Sequence, residues 1–157
     1  MSTPKIHRNL PQLLLKARDV LLSHFRGILT HHGLTEQQWR IVRSLREQGP
    51  LEPNQLCDAC QILSPSMVGV LSRMQTQELI VRERSPHDQR RIIISLTPHG
   101  RAVYDRVAPL VEAQYSLIEA AIGRDLIDQT YAQIDRLLSA PLDQVPSVAL
   151  PPVDPEA

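Results

Sequence analysis

Apolar residues recur at helical spacing from the start of the chain: Leu10, Leu13, Leu14, Ala17, Leu21, Phe25, Ile28 and Leu29 share one face. That period predicts a helix from Leu10 to His32, stopped by Gly33. Leu15, Val20 and Leu22 widen the stripe, so this helix should meet more than one neighbour. Thr35 and Gln38 stand at capping-box spacing before a second stripe of Trp39, Val42 and Leu45, which Gly49-Pro50 ends. Pro53 opens a short third helix carrying Leu56, Cys57 and Cys60. Ser64-Pro65 reads as an N-cap serine with proline at the first helical position, leading to Met67, Val70, Leu71 and Met74. Two short helices joined by the tight turn Gln61 to Leu63 make a helix-turn-helix pattern.

The period then changes. Ile80 to Arg84 and Ile92 to Leu96 are short and rich in β-branched residues, which predicts two strands flanking the seven-residue loop Ser85 to Arg91. That loop is longer than hairpins need, so it should have work outside the core. Thr97-Pro98 repeats the cap-and-proline signal and opens a helix to about Ile122, with Val103, Val107, Leu110, Leu117 and Ile118 on its apolar side. Gly123 breaks it, and Asp125 to Ser139 forms a last helix with Leu126, Ile127, Tyr131, Ile134, Leu137 and Leu138. Beyond Ala140 the periodicity vanishes and proline takes five of the last 17 positions, so residues 141–157 should be extended or disordered.

Charge adds a direction to this pattern. The formal net charge is zero, yet residues 1–60 carry 8 basic and 5 acidic groups, residues 61–106 carry 7 and 4, and residues 107–157 carry 2 and 8. A basic middle followed by an acidic C-terminal part fits a molecule with one anion-facing side. Arginine outnumbers lysine 15 to 2, which favours planar, bidentate contacts. No apolar run reaches the length of a membrane span, and the N-terminal MSTPKIHRNL lacks a signal-peptide apolar core, so a cytoplasmic protein is expected.

Candidate chemistry is sparse. Cys57 and Cys60 form one C-x-x-C pair, too few for a four-ligand zinc site, and their helical spacing predicts burial. The six histidines show no ligand spacing, so no metal and no cofactor are expected. No nucleophile signature, glycine-rich phosphate loop or carboxylate pair is present, which leaves an enzyme reading without residues.

The element order predicts a mainly α (α+β) winged helix-turn-helix with a two-stranded wing, framed by N- and C-terminal helices. Asp88-x-Arg90 followed by Leu96-Thr97, with "GLTEQQWRIVRSL" and "ILSPSMVGVLSRM" before it, resembles the multiple-antibiotic-resistance regulator (MarR) family over about residues 8–139. Within that family the homoprotocatechuate-operon repressor branch is the nearest likeness. The resemblance implies a homodimer on double-stranded DNA at a pseudo-palindrome, released by a small aromatic acid. It divides the chain into a dimerisation helix (1–33), a DNA-binding domain (34–97), dimerisation helices (98–140) and the proline-rich tail (141–157).

In that frame Arg90 enters the minor groove, braced by Asp88, while Arg91 meets phosphate with Arg84 beside it. Hydrogen-bond readout falls to Ser64, Ser66, Ser72, Arg73 and Gln75 of the fourth helix, with Val68 restricted to a thymine methyl. For the effector, Trp39 offers a ring to stack on, Arg40 or Arg18 a carboxylate partner, and Ser23 a hydrogen bond. Two rival readings are a redox-sensing regulator using Cys57 and Cys60 and a winged helix that binds protein instead of DNA.

Overall fold

The computed structural model describes residues 8–152. Residues 1–7 and 153–157, where the sequence places the start of the first dimerisation segment and the end of the tail, lie outside the described residues. The elements are α1 (Leu10–His31), α2 (Glu36–Gln48), α3 (Pro53–Cys60), α4 (Ser64–Thr76), β1 (Ile80–Arg84), β2 (Ile92–Leu96), α5 (Pro98–Ile122) and α6 (Arg124–Leu138), followed by a short 3-10 turn, Leu142–Gln144. Two compact units divide the chain, Met1–Ser116 and Leu117–Ala157, with the division inside α5.

Local chemistry explains most of the boundaries in the first unit. The Thr35 hydroxyl accepts from the Gln38 backbone N–H at 3.2 Å, and the Gln38 side chain accepts from the Thr35 N–H at 3.0 Å. This reciprocal capping box starts α2. Gly49 ends it with φ +81°, a backbone state that costs a side-chain-bearing residue more than glycine. The α3–α4 turn instead puts a non-glycine in the left-handed region, Gln61 at φ 50°, whose side-chain amide donates to the Asp58 carbonyl at 2.6 Å.

The hairpin is antiparallel with Ile80 opposite Leu96 and Arg84 opposite Ile92. Leu51 joins its outer edge through a bridge to Ile94, with paired backbone bonds of 3.0 and 2.8 Å. Ile41, Val42, Leu56, Met67, Val70, Leu71, Met74, Ile80, Ile94 and Val107 fill the core of this unit and are almost wholly buried. At its edge the buried Gln38 amide donates to the exposed Gln77, the C-cap of α4, at 2.7 Å.

Several sequence expectations need correction. Ser64 is not the cap of α4; Leu63 holds that position without a side-chain bond, because the helix already begins at Ser64 and proline stands one residue further in. Along α5 the buried line is Val103, Val107, Val111 and Ile118, whereas Leu110 and Leu117 are exposed. The spacing of four, four and seven follows the helix more closely than the stripe read from hydropathy. The same helix continues across Pro109, which cannot donate the usual bond to residue 105. Cys57 is only half-buried, although Cys60 is buried as expected. The tail is not wholly extended, since Leu142–Gln144 makes a 3-10 turn.

Two apolar surfaces stay uncovered within the described chain. The leading turns of α1 expose Leu10, Leu14, Leu15, Val20 and Leu21. In the second unit α6 has no buried residue, and Leu126, Tyr131 and Leu138 are more than half exposed. Exposed apolar side chains repeated along a helix, as at Leu10, Leu14 and Leu21, suit a binding face.

Candidate functional site

α4 buries one face and shows the other to solvent. Met67, Val70, Leu71 and Met74 point into the core, which leaves Ser64, Ser66, Val68, Ser72, Arg73 and Gln75 exposed along the outer side. The Ser64 hydroxyl, freed from capping, makes no hydrogen bond among the described residues, and neither does Ser66. Gly69 lies between these residues, and a Cβ built there meets only Arg73 Nη1, at 3.6 Å. Nothing in the protein's packing demands glycine at that point. Gly69→Ala is therefore expected to stabilise the fold by up to about 1 kcal/mol through helix propensity, read as a rise in melting temperature. A fall in DNA affinity alongside that rise identifies Gly69 as a point of close backbone approach.

The wing loop is tied down internally. The Ser85 N–H donates to the Arg91 carbonyl at 2.8 Å, and the Arg91 N–H to the Asp88 carbonyl at 3.0 Å. Asp88 Oδ1 accepts the Arg90 backbone N–H at 3.0 Å, so Asp88 braces the main chain of Arg90 through an Asx turn and leaves its guanidinium alone. Arg84 donates to the Gln89 carbonyl at 3.2 Å. Arg91 is bound by Glu52, its Nε at 2.7 Å from the carboxylate and its Nη2 also engaged. Among the described residues Arg73, Arg82 and Arg90, along with Arg8 and Arg106 away from the wing and α4, have guanidiniums with no hydrogen bond or ion pair. Arg82 was not singled out from sequence; its place inside a strand hid it.

Two of the expected effector cations converge on one carboxylate. Arg18 pairs with Glu36, and Arg40 reaches the same carboxylate at 3.8 Å. Arg40 also donates to the carbonyls of Cys60 and Gln61, which makes it a cation on the C-terminal end of α3. Burial lowers the Arg40 pKa, and Arg18 lowers it further, with a smaller opposing contribution from Cys60. The Ser23 hydroxyl is exposed and donates to the Val20 carbonyl at 2.6 Å. Trp39 is buried and stacks on Tyr104 with ring centres 5.5 Å apart and planes 14° from parallel.

A different cation joins that aromatic group. Arg43 stands four residues after Trp39 on α2, hence on the same face. Its pKa is raised chiefly by the hydrogen bond to Glu47, at 2.7 Å, with Tyr115 and Tyr104 adding in the same sense against burial. Tyr115 in turn packs on Phe25 at 4.7 Å, and Arg46 lies 5.6 Å over the Tyr104 ring. The two ring pairs, Phe25–Tyr115 and Trp39–Tyr104, thus each have a tyrosine within electrostatic reach of Arg43, and aromatic faces beside a cation suit a flat ring bearing a carboxylate. Arg43, Tyr104 and Tyr115 were missed from sequence. The i, i+4 spacing of Trp39 and Arg43 was the available signal for the first of them.

The two thiols differ in environment. Cys60 Sγ lies 3.4 Å from the Ser44 hydroxyl, and burial pushes its pKa up, partly offset by that hydroxyl and by Arg40. Cys57 lines an open groove of about 570 Å³ with Asn54, Asp58, Gln61 and Ser64. Thiolate is the reacting form. Iodoacetamide should therefore label Cys57 in the native protein and Cys60 only after unfolding, as read by mass spectrometry. Native labelling of Cys60 at the same rate as Cys57 contradicts the burial argument.

Among the described residues no group of three or more His, Cys, Asp or Glu is placed to hold a metal ion. No helix of the described residues is long and apolar enough to cross a membrane.

A family model described as MarR family matches residues 32–91. The chain is 41% identical over 124 residues to the homoprotocatechuate degradative operon repressor of Escherichia coli, spanning 79% of this chain and 84% of that one. It is 38% identical over 125 residues to the HTH-type transcriptional regulator FarR of Neisseria gonorrhoeae, spanning 80% and 86%. Among solved structures, NadR in complex with 4-hydroxyphenylacetate superposes with a TM-score of 0.74 at 34% identity, spanning 88% of this chain and 99% of that one.

Proposed function

The chain belongs to the MarR family of transcriptional regulators, and from that premise we propose that it is a dimeric repressor of an aromatic-acid catabolic operon, released from a pseudo-palindromic operator by a small aromatic acid. The observation that carries this reading is an uncovered recognition helix beside wing cations, Arg82 and Arg90, that have no partner among the described residues. Unpaired guanidiniums on a solvent face fit a polyanion, whose condensed counterions they release on binding. Residues 34–97 read DNA in this proposal, through Ser64, Ser66, Val68, Ser72, Arg73 and Gln75 in the major groove and Arg90 in the minor groove.

The uncovered apolar faces of α1 and α6 favour a second copy of the chain. Segments 1–33 and 98–140 supply the dimer contacts, which hold two lobes about 34–36 Å apart for successive major grooves. A folded monomer at micromolar concentration in analytical ultracentrifugation overturns this part.

For the effector, two relatives point the same way: one represses a homoprotocatechuate operon, and NadR was solved with 4-hydroxyphenylacetate. In this chain the group Phe25, Trp39, Tyr104, Tyr115 and Arg43 suits such an acid, with Arg43 taking the carboxylate. Arg43 is itself paired with Glu47, as Arg18 and Arg40 are engaged by Glu36 and the end of α3; it ranks ahead of them because the Trp39–Tyr104 and Phe25–Tyr115 pairs lie within its electrostatic reach.

The test is fluorescence anisotropy on a labelled fragment of the protein's own promoter, titrated with 4-hydroxyphenylacetate, beside calorimetry of that acid with and without saturating DNA. Linkage requires each ligand to weaken the other by the same factor, and about 1.4 kcal/mol of preference gives tenfold. Arg43→Ala should weaken the acid about tenfold or more while DNA binding persists, as expected for a lost charge-assisted bond. Equal acid affinity with and without DNA rules out an effector-released repressor.

A further inference from the structure

Arg91 looks like one more cation for the DNA backbone, but its surroundings say otherwise. Its guanidinium is held by Glu52 through Nε at 2.7 Å and through Nη2. Glu52 stands 39 positions earlier, just ahead of α3, and is the residue after Leu51. Leu51 makes the backbone bridge to Ile94. Beyond its core contacts, the hairpin is therefore tied to the helix-turn-helix by two successive residues, one through the backbone and one through an ion pair. The ionic point lies nearer the loop, where Arg91 also closes the wing through its carbonyl and the Ser85 N–H. Core contacts at Ile80, Ile94 and Leu96 hold the base of the ribbon, whereas its loop end carries no buried apolar residue. The Glu52–Arg91 pair adds a fixing at that end and so sets where Arg90, the residue before it, points.

We propose that the Glu52–Arg91 pair is a strut that sets the angle of the wing against the helix-turn-helix, making Arg91 a positioning residue of the DNA-binding surface and not a phosphate ligand. This rests on the DNA-binding reading above. It assigns the two neighbouring arginines opposite duties: Arg90, unpaired, touches DNA, whereas Arg91, neutralised by Glu52, aims it.

Simple electrostatics and the strut disagree in sign about Glu52. Removing a negative charge beside a polyanion strengthens binding if charge alone matters; removing one end of a strut weakens it. Operator affinity is measured by anisotropy across a salt series for wild type, Glu52→Gln, Arg91→Ala, Arg90→Ala and the exchange Glu52→Arg with Arg91→Glu. Glu52→Gln and Arg91→Ala are expected to lose about two- to fivefold, the scale of an exposed ion pair, with the salt slope unchanged. Arg90→Ala should lower that slope by about 0.9, the contribution of one phosphate. The charge exchange should return affinity to within about twofold of wild type, since it rebuilds the pair in reverse.

Tighter binding by Glu52→Gln overturns the strut. So does a slope change in Arg91→Ala equal to that of Arg90→Ala, or an exchange variant weaker than both single variants. Wild-type protein that binds no promoter DNA overturns the underlying reading and the strut with it, and is distinguished because it appears before any substitution is made.

Discussion

Gly100→Ala is expected to lower the melting temperature by about 10 °C, corresponding to about 3 kcal/mol for a chain of this size. A Cβ at position 100 would stand 2.1 Å from the Leu79 carbonyl oxygen, with the Leu79 carbonyl carbon and Leu96 Cδ2 each at 3.1 Å. The first obstacle is backbone and cannot rotate away. That carbonyl is also occupied, accepting the Thr97 N–H at 3.1 Å and the Thr97 hydroxyl at 3.3 Å. The first turn of α5 must therefore lift from the base of the hairpin, breaking the Thr97 bonds and loosening Leu96 from the core. Overpacking costs about 1–3 kcal/mol in ordinary cores, and a rigid backbone obstacle places this site at the upper end. Circular dichroism on heating checks it, and a shift under 2 °C contradicts the geometry. Because Leu79 leads into Ile80 and the wing, DNA affinity should fall as well.

Arg90→Ala should leave the melting temperature unchanged and weaken operator binding about ten- to a hundredfold, the range for losing a base-edge or groove arginine contact. Both halves follow from the wing geometry. Arg90 lies on the exposed loop, and its guanidinium has no bond within the described residues, so folding loses nothing. Its backbone N–H is held by Asp88 Oδ1 at 3.0 Å, which fixes the chain direction before DNA arrives and reduces the ordering cost on binding. Asp88→Ala should therefore give a smaller loss with the salt slope preserved, since the cation remains and only its placement loosens. An Arg90→Ala protein with wild-type affinity and slope removes the wing from the mechanism.

Features with a local cause were legible in the sequence. The capping box at Thr35 and Gln38 needs only residues three apart. The strands Ile80–Arg84 and Ile92–Leu96 fall where the β-branched runs stand, because side-chain crowding at χ1 favours the pleated backbone wherever such runs occur. Asp88-x-Arg90 with its flanking elements identified the wing and the family. Even the one misplaced cap, Ser64 for Leu63, is an error of one position along a helix correctly identified.

What periodicity cannot encode is the identity of a partner. It says which face of an element turns inward, and nothing about the charge or carbonyl opposite. Arg40 and Arg43 are three residues apart on α2, and the sequence singles out only Arg40 as a carboxylate partner. Only the tertiary structure gives Arg40 to the carbonyl end of α3, about 20 positions away, while Arg43 keeps its local partner Glu47 and comes within electrostatic reach of Tyr104 and Tyr115 on α5. Arg90 and Arg91 are adjacent and identical in composition, yet Glu52, 39 positions earlier, holds one and leaves the other open. A hydrophobic pattern is set by the chain's exchange with water, which each residue makes alone. An ion pair is set by where two distant backbones come to rest, and that is decided when the core closes.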